Sequence, residues 1–156
     1  MEKFIVNKVK TEEYNLEDLC KPLDELIIFP KKMSWSSAWT TCLVHGGTVH
    51  APDNEEENNK LTEAMKPYRN TCADPVPGNL VWLGIKSENY IWYKMNNEGN
   101  LSVQNYLNWE STAPFYETYE CAFLKVGGKW ASDRHCNKKV KLCTACKISG
   151  KSKKVT

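Results

Sequence analysis

The chain has 156 residues, a length suited to one domain with a real hydrophobic core. Hydrophobic residues make up 41% and charged residues 26%, which is ordinary for a soluble globular protein. With 21 basic and 19 acidic side chains the formal charge is +2, so the basic footprint expected of a nucleic-acid binder is missing. No apolar run reaches the length that spans a bilayer; the longest, Leu26-Ile27-Ile28-Phe29, is strand length. Met1-Glu2-Lys3-Phe4 is not followed by the apolar segment of a signal peptide. A secreted chain of this kind is expected to be a mature form or a fragment, with Met1 as an expression start. Seven cysteines point to an oxidising compartment. Six of them can form three bridges in fifteen connectivities, and the seventh is then free or paired outside this segment.

Residues 1–20 are polar and rich in lysine and glutamate, and read as a lead-in or linker ahead of a domain over 21–148. Leu26 to Phe29 reads as a short buried strand closed by Pro30. Ser34 is placed to cap a helix whose apolar face is Trp35, Ala38, Trp39, Cys42 and Leu43, and His45-Gly46-Gly47 ends it. A second helix is predicted to open at Asp53, with Glu56 three residues on. Its stripe is Leu61, Ala64, Met65 and Tyr68, and its end frays at Pro67. No further helix is expected. From Asn79 the texture is β: Val81 to Ile85, then Tyr90 to Tyr93, then a polar turn over Asn96 to Asn100. Ser102 to Thr118 holds turn formers and aromatics without sustained period, and reads as a long structured loop, a kind of segment that is usually functional. Glu120–Val126 and Lys129–Ala131 flank Gly127-Gly128 as a hairpin, and Lys141–Ile148 is the closing strand. The tail over 149–156 is basic and reads as disordered linker.

One series of residues carries a resemblance. Trp35-x-x-Ala38-x-x-x-Cys42-x-x-x-Gly46-Gly47, then Ala51-Pro52 with Glu55-Glu56-Glu57, then Trp82-Leu83-Gly84-Ile85, are followed by Asn108-Trp109, Cys121, Gly128-Lys129-Trp130, Asp133 and Cys136. In this order and spacing, from about Asp24 to Ile148, the chain resembles the C-type lectin-like domains. The resemblance implies an α+β fold: two helices on small antiparallel sheets, a long structured loop and disulfide bridges. It also implies a bridge from Cys42 to Cys143 or Cys146, with Cys146 favoured by the Cys146-Lys147-Ile148 ending. Cys143 is then left for Cys72, and Cys20 is left over for a neighbouring domain or second chain. Cys121 and Cys136, 15 residues apart across the predicted hairpin, close a loop worth roughly 3 kcal/mol in the chain-entropy model. The alternative reading of Cys143-Thr144-Ala145-Cys146, near His135 and Cys136, is a thiol–disulfide pair or half a zinc site. Redox pairs work at a helix N-terminus, and no helix is expected behind this motif.

The resemblance also raises calcium-dependent sugar binding. Calcium takes 6–8 oxygen ligands, mostly carboxylate and amide. The family draws them from a Glu-Pro-Asn or Gln-Pro-Asp triplet in the long loop and from a Trp-Asn-Asp triplet before the next cysteine. The first aligns with Ala113-Pro114-Phe115, and the second reads Trp130-Ala131-Ser132-Asp133, with the asparagine gone and one residue inserted. Asp133 alone stays in a ligand position, while Glu117 and Glu120 either compensate or form a solvated loop face. No metal ligand set and no cofactor is therefore expected, calcium included, at the usual sugar site. Phe115, Tyr116 and Tyr119 cluster near the loop tip, with Tyr106 and Trp109 at its base. Trp82 and Trp109 read as core, whereas Phe115 and Tyr116 either face a ligand or fill the loop's own small core.

Other features carry less. His45, His50 and His135 stand in no metalloenzyme motif and read as solvated or capping. Lys138, Lys139 and Lys141 suit an anionic glycan or simply a wet face. Asn100-Leu101-Ser102 is a glycosylation sequon in a turn. With no nucleophile–base pair and no phosphate loop, the expected function is non-catalytic. It is an extracellular or cell-surface recognition module, taking a protein or glycan ligand through Phe115, Tyr116, Glu117, Tyr119, Glu120 and Asp133, without nucleic acid or membrane insertion. Two alternatives stand beside it: a calcium lectin rearranged around Glu117, Glu120 and Asp133, and an enzyme using Cys143 and Cys146.

Overall fold

The computed structural model describes residues 25–74, 78–114, 120–134, 136 and 139–148, and Glu25–Ile148 group as one unit. The expected lead-in, Cys20 and the basic tail lie outside the described residues.

Strand β1 (Glu25–Met33) runs past Pro30, correcting the expectation that proline closes it, and is half-buried to exposed rather than buried. Its pairing with the last strand shifts register between Phe29 and Met33. A residue with no N–H is tolerated where the ladder is already interrupted. Helix α1 (Trp35–Val44) starts as its sequence demands, with the Ser34 hydroxyl accepting the Ser37 N–H, and Gly46 beyond its end has φ +85°. Trp35, Ala38 and Cys42 are buried, but Leu43 is 39% exposed, because it lies one residue round the helix from the Cys42 row.

Short strand β2 (Gly47–Val49) leads to helix α2 (Glu55–Met65). The cap is Asn54 and not Asp53: the Asn54 side chain accepts the Glu57 N–H at 2.8 Å, and the Glu57 carboxylate accepts the Asp53 N–H at 2.9 Å. The reciprocal arrangement is thus shifted by one residue from the predicted one. Three glutamates in the first turn favour the positive end of the helix dipole. α2 ends at Met65, just ahead of Pro67 as expected. Pro67 itself falls in a 3₁₀ turn, Lys66–Tyr68, that passes directly into a third helix, α3 (Arg69–Cys72), which corrects the expectation of two helices only. Proline is accommodated in a first turn because its missing N–H has no partner there.

The β half comprises β3 (Asn79–Glu88), β4 (Ile91–Met95), β5 (Leu101–Val103), β6 (Glu120–Lys125), β7 (Trp130–Arg134) and β8 (Leu142–Ile148). The strand order is β1-β8-β3-β4-β5, with β2 also on β8, and β6 joining β3 to β7. Between the named strands the pairing is antiparallel except where Val81 of β3 meets Cys143 of β8 in parallel, so the sheet is mixed.

Two buried clusters flank this framework. One gathers Leu61, Met65, Leu80, Leu83, Leu124 and Trp130; the other gathers Trp35, Ala38, Val49, Trp82, Phe123 and Leu142. Gly84, inside the Trp-Leu-Gly-Ile run, donates its N–H to the His50 carbonyl, and a Cβ there would lie 1.9 Å from the Val49 carbonyl oxygen. No side chain fits this crossing. Three bridges tie the periphery down: Cys42–Cys146, Cys72–Cys143 and Cys121–Cys136, with Cα separations of 5.3, 5.7 and 5.1 Å. Cys143 and Cys146 are three residues apart on a strand, hence on opposite faces, and this lets one strand hold α1 through one sulfur and α3 through the other. Both sulfurs being bonded elsewhere, the redox-pair and zinc readings of the C-x-x-C motif are corrected.

Candidate functional site

The trunk of the long loop is pinned to the core from several sides. As the chain leaves β5, the Gln104 N–H donates to the Trp92 carbonyl at 2.9 Å. The buried Gln104 side-chain amide donates to the carbonyls of Pro52 (2.7 Å) and Tyr106 (3.0 Å). Farther on, the Trp130 N–H donates to the Asn108 carbonyl and the Glu110 N–H to the Trp130 carbonyl, so the loop runs beside β7 at Trp109. Lys125 pairs with Glu110 at 2.8 Å, with both side chains mostly shielded. Rings complete the base: Trp109 lies 4.9 Å from Trp92 and 5.9 Å from Trp130, with Tyr106 edge-on to Trp130 at 5.5 Å. Trp82 is fully buried, and Trp109 is half-buried against the core.

At the loop's far side Ala113 is half-buried, Pro114 is buried, and the peptide bond between them is cis. Phe115, Tyr116, Glu117 and Tyr119 lie outside the described residues, so the expected aromatic tip has no structural account. Glu120 is described, and the solvated-face reading of it is corrected: it opens β6 and is fully buried. Its carboxylate accepts the Ser132 hydroxyl at 2.5 Å, and its N–H donates to the Ser87 hydroxyl at 2.9 Å. Desolvating a carboxylate is tolerated when a donor such as the Ser132 hydroxyl replaces water. Asp133, half-buried, stands opposite Cys121 in the β6–β7 ladder. Ala131 and Ser132, between Trp130 and Asp133, are buried. Among the described residues no three His, Cys, Asp or Glu side chains group as a metal site.

The three histidines separate. His45 forms the C-cap of α1, its Nδ1 2.9 Å from the Thr41 carbonyl. His50 is neither solvated nor capping: it is 7% exposed, between β2 and α2. Burial, reinforced by Lys147 and Lys94 against the opposing Glu57 and Asp53, lowers its pKa to about 4, so it is neutral at pH 7. His135 lies outside the described residues, as does Lys138, while Lys139 and Lys141 are exposed.

A concavity of about 160 Å³ was not legible in the sequence. Trp35, Lys86, Glu88, Tyr93, Met95 and Leu101 contribute to its lining. The Lys86 ammonium stands 5.2 Å from the centre of the Trp35 ring, which in turn stacks on Trp39 at 5.5 Å. Strand alternation could have placed Tyr93 and Met95 on one face, but nothing local brings Trp35 of α1 to them.

A family model for the lectin C-type domain matches residues 31–147. Among solved structures, the mouse scavenger receptor C-type lectin carbohydrate-recognition domain superposes with a TM-score of 0.61 at 16% identity, covering 83% of this chain and 91% of that one. Human lithostathine gives 0.61 at 20% identity, covering 80% and 91%. Herring type II antifreeze protein gives 0.59 at 17% identity, covering 80% and 89%. At these identities the likeness establishes the fold alone. A search of curated protein sequences gave no match.

Proposed function

Because the chain belongs to the C-type lectin domain family, we propose that it is an extracellular, non-catalytic recognition module that takes a protein or glycan ligand on its long-loop face without the family's usual calcium. Domains of this family bind carbohydrate or protein ligands, and their members are generally not enzymes. No helix among the described residues is long and apolar enough to cross a membrane.

The observation that carries the calcium-independent reading is the chemistry at the two aligned triplets. Ala113 offers a methyl group where the family offers a carboxylate or amide oxygen, and Ala131 is buried within β7. A hard cation that needs 6–8 oxygens is not served by alkyl side chains. Of the described carboxylates beside that loop, Glu110 is engaged by Lys125 and Glu120 is turned inward onto Ser132. The residues present therefore do not fit a calcium ion held in the family's manner.

What supports recognition is the trunk. A trunk held by Gln104, Asn108, Glu110 and the tilted and edge-on contacts among Tyr106, Trp92, Trp109 and Trp130 is ordered before a ligand arrives, and preorganisation of that kind favours binding over local folding. The face would then engage a ligand through ring stacking and loop hydrogen bonds. The test is a glycan and protein array probed with the domain, first with calcium and then with chelator. Equal binding in both arms is expected; binding abolished by chelator overturns the calcium-independent reading.

A further inference from the structure

We propose that Asn100 is an acceptor for an N-linked glycan, a site that rests on the extracellular reading above. The sequence holds one Asn-x-Ser/Thr triplet without proline in the middle, Asn100-Leu101-Ser102. The fold presents all three residues outward. Asn100 closes the Asn96–Asn100 turn, Leu101 is 50% exposed, and the whole of β5 is exposed. The turn uses the backbone of Asn100 and not its side chain: its N–H donates to the Asn96 side-chain oxygen at 2.9 Å, and its carbonyl accepts the Asn96 N–H at 3.0 Å. The acceptor amide can thus be modified without breaking the turn.

β5 is also the terminal strand of the order β1-β8-β3-β4-β5, paired through Tyr93–Val103, Lys94–Ser102 and Met95–Leu101. A terminal strand carrying Leu101 and Val103, 50% and 56% exposed, is a template for unwanted edge pairing. A bulky, solvated oligosaccharide on Asn100, immediately before the strand's first residue, blocks that approach. In the reaction the Asn100 amide nitrogen bonds to the anomeric carbon of a lipid diphosphate-linked oligosaccharide. The bond from that carbon to the diphosphate oxygen breaks, the lipid diphosphate leaves with the electron pair, and the amide proton passes to a base of the transferase.

The test expresses the full chain behind a cleavable secretion leader in a eukaryotic host, alongside Asn100→Gln and Ser102→Ala variants. Secreted wild type is expected to carry an oligosaccharide mapped to the Asn100 peptide, released by a glycan amidase that leaves aspartate there, and absent from both variants. Secreted wild type with unmodified Asn100 overturns the proposal. The extracellular reading is scored separately on the same material, by whether the six described cysteines are recovered in three bridges.

Discussion

Trp130 donates its indole N–H to the side-chain oxygen of Asn58 at 2.7 Å, joining β7 to α2 through the centre of the domain. Asn58, 3% exposed, uses its amide in turn on the Gly128 carbonyl at 2.9 Å, a carbonyl that Asn108 of the long loop also reaches at 2.8 Å. Asn58→Leu leaves a buried indole N–H unsatisfied. It is expected to cost about 2–3 kcal/mol, read as a lowered midpoint in denaturant unfolding followed by tryptophan fluorescence. An unchanged midpoint would mean that water replaces the lost acceptor.

Gly84 gives a sharper steric case. With the Val49 carbonyl 1.9 Å from where its Cβ would be, Gly84→Ala forces β2 away from β3. Overpacking of this kind costs about 1–3 kcal/mol or more. The expected outcome is a large drop in Tm, or failure to recover folded protein. Gly99, where a Cβ meets nothing within 4 Å, serves as the contrasting site, with only its positive φ to resist substitution.

His50 makes stability depend on pH in a definite direction. Its folded pKa of about 4 lies below the usual 6.5, so the unfolded chain binds more protons between those values. Its contribution is therefore full above about pH 6.5 and is lost as pH falls toward 4, for a total of about 3 kcal/mol. Unfolding free energies measured from pH 7 to 4 are expected to fall with this slope, and His50→Gln is expected to flatten it. Equal slopes in the two proteins would assign the pH dependence to other groups.

The framework was readable where one local signal decides the outcome. Ser34 and Gly46 bracket α1 because capping needs only the residues at its ends. The run from Val81 to Ile85 reads as strand because burial on both faces leaves little else. The misreadings fall where distant partners decide. Pro30 sits inside β1 because β8, more than a hundred residues later, pairs on either side of it. Asn58 was overlooked because a polar residue on a helix face gives no sign that a tryptophan and a carbonyl await it. Glu120 looked solvated because Ser87 and Ser132, which take it inside, lie 33 and 12 residues away. The turn formers and missing period over Ser102 to Thr118 located the long loop, but the Gln104 contact that pins its base has no sequence signature.

Gln104 links that base to the segment before α2 through Pro52. Gln104→Ala removes two hydrogen bonds at the loop's root and is expected to destabilise the domain by about 1–2 kcal/mol. The effect on binding is expected to be larger than this loss alone implies, because loop order is part of the cost of association. Hydrogen exchange over 104–114 should accelerate in the variant; unchanged protection there would separate the loop from this anchor.

Calcium titration of the oxidised, three-bridge domain by isothermal calorimetry, with Tm recorded across the same range, bears most directly on the proposed mode of recognition. At millimolar calcium no saturable heat and no rise in Tm are expected. A saturable exotherm accompanied by thermal stabilisation would contradict calcium-independent recognition and restore a rearranged metal site around Asp133 and its neighbours.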